Sequence, residues 1–363
     1  IRSLLDEGYQ KKDIAVFYRT NAQSRALEEQ FLKANIAYKV VGSYYFYSRK
    51  EIKDLICYLK LLLNPSDDIS LRRVINTPKR GIGNTSIERL EQKALSDGTS
   101  MFEAISGGKE QGFKDLILEL QNDAKSLSLT ELVDDVLTKS GMRAELENVD
   151  NLENELRLDN LMEFKSITAT FEETTGSVDL GDFLDEISLI ADISEHQTNE
   201  DVVTLMTLHS AKGLEFPVVF LSGMEDGIFP HQNTLNEAGG IEEERRLCYV
   251  GITRAKERLY LTNARSRMLY GHTNRFMPSR FLDEIDEQLI ERKDIASSQV
   301  INKEEMYQNS DVEYQVGDVV MHTIYGRGVV VAVDKSILTI AFGKQYGIRK
   351  LMKNHKSVRK LGA

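Results

Sequence analysis

The segment from Thr207 to Phe216, TLHSAKGLEF, places a hydroxyl, an imidazole, an ammonium and a carboxylate within nine residues. An apolar run of strand length precedes it and a second, PVVFL, follows it, so the segment begins where a predicted strand ends. Turns at the carboxyl ends of parallel strands are the ligand sites of α/β sheets. The composition alone fits a solvated turn, with Gly213 as a helix C-cap, equally well.

Arginines stand at the ends of two further predicted elements. Arg254 follows the predicted helix EEERRLCYV, and Gly251 is expected to break that helix and present Arg254 separately. Tyr18 and Arg19 end the first predicted strand, IAVFY, with an aromatic ring and a guanidinium. The alternative is a salt-bridged surface helix in the first case and an ordinary strand edge in the second.

Elements on both sides of a helical interval must position these residues. IAVFY and IAYKVV are predicted strands joined by an amphipathic helix, AQSRALEEQFLKANI, and this βαβ unit implies a parallel sheet. From Ser48 to about Asn199 the pattern is almost wholly helical, and strands return at VVTLMTLH, PVVFLSGM and RLYLTNA. The sequence therefore predicts a discontinuous α/β domain, residues 1–43 and 199–290, interrupted by an inserted helical subdomain, residues 44–198.

The last part of the chain has a different character. Short β-branched runs separated by Gly-bearing turns predict a small all-β barrel of the SH3 or Tudor type in residues 315–363, after a polar linker in residues 291–314. Because such strands bury one alternating face, the expected core residues of the barrel are Val319, Val329, Val331, Ile340 and Phe342. The lysines and arginines between Arg349 and Lys360 would then point outward.

Charge is unevenly distributed over the 363 residues. The net charge is −11, yet residues 145–201 carry 17 acidic and two basic residues, and residues 315–363 carry nine basic and two acidic ones. An acidic partner such as a phosphate backbone would be repelled by the middle of the chain and could be held elsewhere. Two cysteines are too few for a disulfide framework, and no apolar run is long enough to cross a membrane. The start at Ile1, in mid-pattern, leads us to expect a piece of a longer chain.

A second candidate site lies inside the helical interval, in TPKRGIGNTSIERL. Gly81 and Gly83 flank Ile82 ahead of a helix that Thr85 or Ser86 would cap. Such a turn can aim backbone N–H groups and a helix N-terminus at a phosphate, and a neighbouring Lys-Arg pair, Lys79 and Arg80, adds positive charge. By itself a GxG turn fits a purely structural loop better than a binding site.

Three of these motifs together resemble a known family. YRTNAQSR (18–25), TLHSAKGLEF and EEERRLCYVGITRA (242–255) closely resemble the fourth, fifth and sixth motifs of superfamily 1 DNA helicases of the UvrD/PcrA/Rep type. They occur in the family's order and at its spacing, with its helical insertion between the first and the second. The resemblance covers essentially the whole chain, and the terminal barrel resembles that of the PcrA branch in Gram-positive bacteria.

The resemblance implies a role for each matching residue. Tyr18 would stack on the adenine of ATP, Arg19 and Arg254 would be the two catalytic arginines at the γ-phosphate, and Glu215 would accept from the ribose hydroxyl. Thr207, His209 and Lys212 would lie between the nucleotide and single-stranded DNA. In this family the loop equivalent to the GxG turn contacts duplex DNA, which favours a DNA-binding role for Lys79, Arg80, Gly81, Ile82 and Gly83. A guanidinium is a permanently charged planar fork that suits phosphate oxygens.

The departure from the family pattern is equally informative. The sequence contains no GxxxxGK[ST] loop and no apolar strand ending in an Asp-Glu magnesium motif. The chain therefore resembles the second RecA-like domain, the inserted subdomain and the C-terminal extension, without the first RecA-like domain that would hold ATP with Mg²⁺. By itself it is expected to be inactive. The rival hypothesis is a non-catalytic fragment that binds DNA or RNA polymerase.

The resemblance also implies partners and a setting. The parent would be an ATP-dependent 3′ to 5′ helicase or translocase of DNA repair and rolling-circle plasmid replication, cytoplasmic and associated with the nucleoid. Its substrates would be single-stranded DNA and junctions of single- and double-stranded DNA, with repair or replication-initiator proteins as further partners and no membrane association. The barrel would dock RNA polymerase through four basic residues, Arg349, Lys350, Lys353 and Lys356.

Overall fold

The structure, a computed structural model, describes residues 1–149, 151–195, 201–235, 237–293, 312–334, 336–343 and 345–361. Up to the middle of the chain its elements are α1 (Arg2–Asp6), β1 (Ile14–Tyr18), α2 (Ser24–Lys33), β2 (Tyr38–Val41), α3 (Lys50–Leu63), α4 (Asp68–Val74), α5 (Asn84–Asp97), α6 (Met101–Ala104), α7 (Lys109–Asp123), α8 (Leu129–Lys139), α9 (Met142–Glu147), α10 (Leu152–Thr175) and α11 (Leu180–Glu195). The later elements are β3 (Val203–Thr207), β4 (Phe216–Ser222), α12 (Gln232–Leu235), α13 (Gly240–Ile252), β5 (Ala255–Thr262), β6 (Ser266–Leu269), β7 (His272–Arg275), β8 (Val319–His322), β9 (Gly326–Val333), β10 (Ile337–Ala341), β11 (Ile348–Met352) and β12 (Val358–Lys360).

The chain divides into two compact units. The first comprises residues 1–52 and 188–294, and the second comprises residues 53–187 and 295–363. The first unit is discontinuous in sequence, and the second contains both the helical segment and the terminal strands. The predicted linker, residues 291–314, lies mostly outside the described residues.

A parallel sheet is the centre of the first unit. Its strand order is β2-β3-β1-β4-β5, and every neighbouring pair is parallel. The strands come from both sides of the helical interval, which confirms the predicted mixed α/β domain. Alternate residues of β1 enter two cores: Ile14, Val16 and Tyr18 face one, while Ala15 and Phe17 face the core that includes Cys248 of α13.

Helices dominate the described part of the second unit before the terminal strands. Their starts follow the capping chemistry of the sequence: Ser100 and Ser128 each accept the N–H of a glutamate three residues on, and that glutamate side chain bonds back to the serine N–H. Deeper in the unit, Glu172 of α10 accepts N–H bonds from Leu129 and Thr130 at the start of α8. Acidic residues of this segment thus fix helix ends as well as covering its surface.

The terminal strands form an antiparallel sheet, ordered β11-β10-β9-β8-β12. Ile340 is buried and Phe342 packs against the core as expected, but two of the five predicted core residues face outward. Val329 and Val331 are each 41% exposed, and Val330 between them is fully buried. The run GVVVAV has no polar residue to fix its inward face, so its phase was ambiguous. Gly328 settles it, since a Cβ there would meet Ile340 and the Phe342 ring.

This terminal sheet pairs with the helical segment of its own unit. The N–H of Met352 donates to the carbonyl of Gly176 at 2.9 Å, and the N–H of Val178 donates to the carbonyl of Lys350 at 3.1 Å. Beside this pairing, the buried ring of His355 bonds to the carbonyl of Glu173. The edge strand β11 is therefore covered by the segment after α10. Among the described residues, no helix is long and apolar enough to span a bilayer.

Candidate functional site

The first candidate site forms where β1 and β3 end side by side. The two strands are parallel neighbours in which Tyr18 pairs with Thr207, so Arg19 and His209 leave the sheet at the same edge. The turn after β1 is held by Gln23, whose side-chain oxygen accepts the backbone N–H of Arg19 at 2.8 Å and that of Thr20 at 2.9 Å. The backbone of Arg19 is thereby fixed at the end of β1.

Tyr18 and Arg19 point to opposite faces of the sheet, which bears on the role predicted for Tyr18. Successive residues of a strand point to opposite faces, and Tyr18 enters the core on the side of α2, where it is 0% exposed. Burial raises the pKa of its hydroxyl well above the usual value. A ring enclosed in this way offers no face to an adenine, so the structure does not support the predicted stacking role of Tyr18.

Arg19 extends to the opposite face and forms an ion pair with Glu244 of α13. Its Nε lies 2.9 Å and 3.0 Å from the two carboxylate oxygens, and its Nη2 lies 2.8 Å from Oε1. Glu244 is 2% exposed and also accepts the backbone N–H of His231 at 3.0 Å. This contact is bidentate and charge-assisted in a partly desolvated site, so it fixes the orientation of the guanidinium.

A cavity of about 400 Å³ opens beside this pair. It runs along α13 and the segment after β3, and its ionisable lining residues are Arg19, His209, Lys212, Glu237, Glu243, Glu244 and Arg246. Glu243 pairs with Arg246, and Glu244 pairs with Arg19. Lys212 is exposed. Arg19 and Lys212 are two cations in one concave wall, an arrangement that attracts anionic groups. Among the described residues no cluster of His, Cys, Asp or Glu is placed to hold a metal ion.

His209 and Thr207 lie at the mouth of this region in different environments. Partial burial and the charge of Arg19 lower the pKa of His209, so its imidazole is neutral at pH 7. The hydroxyl of Thr207 is 3.0 Å from that of Ser210, and Ser210 lies so close to Gly42 that a Cβ there would clash. Thr207 therefore shapes the turn, while the exposed ring of His209 is available to a ligand.

Arg254 and Glu215 lie in a different place from Arg19. Each precedes a strand of the parallel sheet, and neither lines the cavity. The guanidinium of Arg254 donates to the carbonyls of Val250 at 3.0 Å and Leu214 at 3.3 Å, closing the end of α13. Glu215 is exposed, 3.7 Å from Lys256. The structure thus brings Arg19, His209 and Lys212 together and leaves Arg254 with Glu215.

Sequence reasoning missed a basic hairpin in the same unit. Strands β6 and β7 join through Tyr270 and Gly271, both with positive φ, which is rare for an aromatic residue. Residues 264–280 contain four arginines and one histidine but no acidic residue, and Tyr270 is 36% exposed. Buried Glu225 anchors the hairpin by accepting from Arg267 at 2.7 Å. The acid-free run was the signal that could have revealed it, since a basic hairpin with an exposed ring suits single-stranded nucleic acid.

In the second candidate site, the GxG turn, the structure does not support the predicted DNA contacts of Arg80 and Ile82. Arg80 is a structural residue: its Nη2 donates to the Tyr58 hydroxyl and the Ser140 carbonyl, each at 2.8 Å, and its Nη1 donates to the Pro78 carbonyl at 3.0 Å. The guanidinium also lies over the Phe113 ring, 5.5 Å from its centroid. Both terminal nitrogens of Arg80 are therefore engaged within the unit, which does not support its predicted contact with duplex phosphates.

The rest of the GxG turn contains both buried and exposed parts. Ile82 is 1% exposed and its N–H donates to Asn76, so it packs rather than binds. Helix α5 starts at Asn84 with Gly83 as its N-cap, two or three residues before the predicted cap. Lys79 is exposed, and the Lys109 ammonium donates to the Gly81 carbonyl at 3.3 Å. The cations available at this turn are therefore Lys79, as predicted, and Lys109, which was not predicted.

The basic residues of the terminal sheet are also used differently from the prediction. Lys350 donates to the carbonyls of Ala124 at 3.1 Å and Lys125 at 3.3 Å, and Arg349 lies 3.5 Å from the carboxylate of Asp182. Both side chains are therefore engaged within the unit and do not point outward. Lys356 is exposed and Lys353 is half-buried. These two remain from the four residues predicted to dock a partner.

The profile of the UvrD-like helicase C-terminal domain matches residues 1–266, and the chain belongs to this family. Among curated proteins, it is 45% identical to the ATP-dependent DNA helicase PcrA of Staphylococcus aureus strain MRSA252, over 90% of this chain and 49% of that protein. It is 44% identical to the protein of the same name from Staphylococcus epidermidis strain ATCC 12228, again over 90% of this chain and 49% of that protein. The chain spans about half the length of these relatives.

Proposed function

We propose that this chain is the C-terminal part of an ATP-dependent DNA helicase or translocase and that it contributes arginines to an ATP site completed elsewhere. The observation that carries the proposal is Arg19, held at the edge of a parallel sheet in the wall of a cavity that also contains Lys212. A permanently charged group placed there would stabilise the charge that develops on a transferring phosphoryl group. The names of the PcrA relatives support the same function.

The chemistry assigned to this chain is confined to its own residues. Bound ATP with Mg²⁺ would supply the phosphoryl group and its counterion, with the metal ligands expected outside this chain. Arg19 would direct positive charge at the terminal phosphate, and Lys212 would attract the phosphates into the cavity. Arg254 would join them only after leaving the carbonyls of Val250 and Leu214. Glu215, being exposed, would be open to a ribose hydroxyl.

DNA contacts are proposed in both units. In the first, neutral His209, Thr207 and the basic hairpin with Tyr270 would track a single strand, because aromatic rings stack on bases and arginines attract the backbone. In the second, Lys79 and the N-terminal end of α5 after Gly81 and Gly83 would contact duplex phosphates. A 3′ to 5′ direction and roles in repair and rolling-circle replication are proposed from the resemblance to the family.

The terminal sheet is proposed to be a Tudor-like barrel that docks a protein. Its strand order and its small core of seven buried residues, from Tyr314 to Val358, support this assignment. Lys353 and Lys356 would meet an acidic surface, and RNA polymerase is the proposed partner. Arg349 and Lys350 are excluded from that surface because they already bind within the unit.

The experiment that tests the proposed function replaces Arg19 in the full-length protein that contains this chain. Arg19→Ala should lower DNA-stimulated ATP turnover by about a thousandfold, the effect of losing an arginine finger. The matched control is Arg245→Ala, since Arg245 lies on α13, pairs with Glu242 and Glu284 at the surface and does not line the cavity. Equal turnover in both variants would reject the proposal and favour a non-catalytic fragment.

A further inference from the structure

Glu244 is a buried acid for which the proposed function gives no role. It is 2% exposed, lies in the first half of α13 and contributes to the wall of the cavity. Burying a carboxylate is costly unless its oxygens are well paired. Here both oxygens are paired: Oε1 with the guanidinium of Arg19, and Oε2 with that guanidinium and the backbone N–H of His231. The charged partner of Glu244 is therefore Arg19, the proposed catalytic arginine.

The contact engages one edge of the Arg19 guanidinium. A guanidinium has five N–H donors in a rigid plane, and Glu244 takes the edge formed by Nε and Nη2. Among the described residues Nη1 has no hydrogen-bond partner, and the side chain is 16% exposed where it lines the cavity. Gln23 fixes the backbone of the same residue. One edge of Arg19 is anchored, and the other is presented to the cavity.

We infer that Glu244 is a positioning residue for Arg19, holding its guanidinium so that the Nη1 edge meets a phosphoryl oxygen of the nucleotide. The inference rests on the proposed function of Arg19. A long flexible side chain that must be ordered at each turnover is a poor catalyst, whereas one already oriented gains from preorganisation. Glu244 touches no substrate in this scheme and acts only through Arg19.

The test measures ATP turnover in the full-length protein for Glu244→Ala, Glu244→Gln, Arg19→Ala and the double variant Glu244→Ala with Arg19→Ala. Glu244→Ala should lower kcat by about tenfold to a hundredfold with little change in KM for ATP, because a misplacement of about 1 Å can cost a hundredfold. Glu244→Gln keeps one carbonyl acceptor and should lose less. Glu242→Ala is the matched control, since Glu242 lies on the same helix, is 58% exposed and does not line the cavity.

The double variant separates positioning from a merely structural role. If Glu244 acts through Arg19, its removal in the Arg19→Ala background should cause no further loss of kcat. A second readout avoids turnover altogether. In the NMR spectrum of this chain, the Arg19 Nε–H signal should be protected from exchange in the wild type and Glu242→Ala, less protected in Glu244→Gln, and unprotected in Glu244→Ala.

The outcomes distinguish this inference from the proposed function. If Arg19→Ala lowers kcat and both Glu244 variants do not, the positioning inference alone is overturned. Additive losses in the double variant, or an Arg19 Nε–H signal that stays protected without Glu244, would also overturn it. If Arg19→Ala leaves kcat unchanged, the proposed function of Arg19 is wrong and the inference fails with it.

Discussion

Two arginines predicted to bind phosphate have opposite surroundings. Arg19 has one anchored edge and lines a cavity, whereas Arg80 donates to the Tyr58 hydroxyl and to main-chain carbonyls and lies over an aromatic ring. Both follow motifs of the right composition. The difference lies in the number of acceptors nearby. A single carboxylate occupies one edge of a guanidinium and leaves its other N–H donors available, whereas several converging oxygens occupy the terminal donors. In these two motifs, the acceptors nearby decide whether guanidinium donors remain available to a ligand.

The largest expected effect concerns Arg254, which resembles Arg80 in its present contacts but is proposed to act like Arg19. In the full-length protein Arg254→Ala should lower ATP turnover by about a thousandfold, while DNA affinity changes little. Steady-state turnover and DNA binding at one salt concentration check this. Loss of DNA affinity as large as the loss of turnover would place Arg254 with the structural arginines.

Arg80→Ala should act on stability. Its removal takes the donor from the carbonyls of Ser140 and Pro78, and each buried polar group left unpaired costs roughly 1 to 3 kcal/mol, so the free energy of unfolding should fall by about 3 kcal/mol. Urea unfolding measures this directly. Lys79→Ala, the exposed neighbour, is the control and should leave the unfolding midpoint unchanged. A stable Arg80→Ala variant with weakened DNA binding would restore the original prediction.

Lys79 should carry the DNA contact at the GxG turn. Removing one phosphate contact lowers the slope of log affinity against log salt by about one, so Lys79→Ala should show that change on junction DNA and none on single strands. The measurement is a salt titration of binding by fluorescence anisotropy. The same slope on junction DNA for wild type and Lys79→Ala would make the turn purely structural.

The smallest effect is a pKa change that reports on Arg19 alone. Burial and the positive charge of Arg19 both lower the pKa of His209, so Arg19→Ala should raise that pKa towards its ordinary value, while Arg80→Ala leaves it in place. Because the folded-state pKa lies below that of the unfolded chain, His209 reduces stability as pH falls from about 6.5 through the folded value. An NMR titration of the imidazole protons measures the shift. An identical pKa in wild type and Arg19→Ala would show that the two side chains do not interact.

Much of the parallel sheet was predictable because its strands are continuous apolar runs. The run IAVFY predicted a buried strand, and the end of that strand correctly placed Arg19 at the edge of the sheet. The expected role of Tyr18 did not fit this strand. Strand alternation requires Tyr18 and Arg19 to face opposite sides of the sheet, whereas the family resemblance assigned both residues to one nucleotide. Local periodicity was the better guide to Tyr18.

The errors elsewhere came from contacts between residues far apart in sequence. Arg80 meets Ser140, and Lys350 meets the end of α7 more than 200 residues earlier. No pattern within either segment indicates such acceptors, so each cation looked solvent-exposed. The predicted inward face of β9 was wrong for a local reason. Three consecutive valines fit either face, and Gly328 is the residue that distinguishes the two, because a Cβ there would meet Ile340 and Phe342. The basic hairpin with Tyr270 was missed although its composition was visible.

The most direct test of the account places Arg19→Ala and Arg80→Ala side by side in the full-length protein, measuring ATP turnover and urea unfolding for each. Both variants should lose stability, because Arg19→Ala leaves the buried Glu244 carboxylate without its cation and Arg80→Ala should unfold about 3 kcal/mol more easily. Turnover should separate them: under conditions in which both are folded, Arg19→Ala should lose about a thousandfold and Arg80→Ala should stay within about threefold of the wild type. If folded Arg19→Ala turns over ATP normally, or if both folded variants lose turnover alike, the distinction between an arginine with available N–H donors and one whose donors are occupied is contradicted.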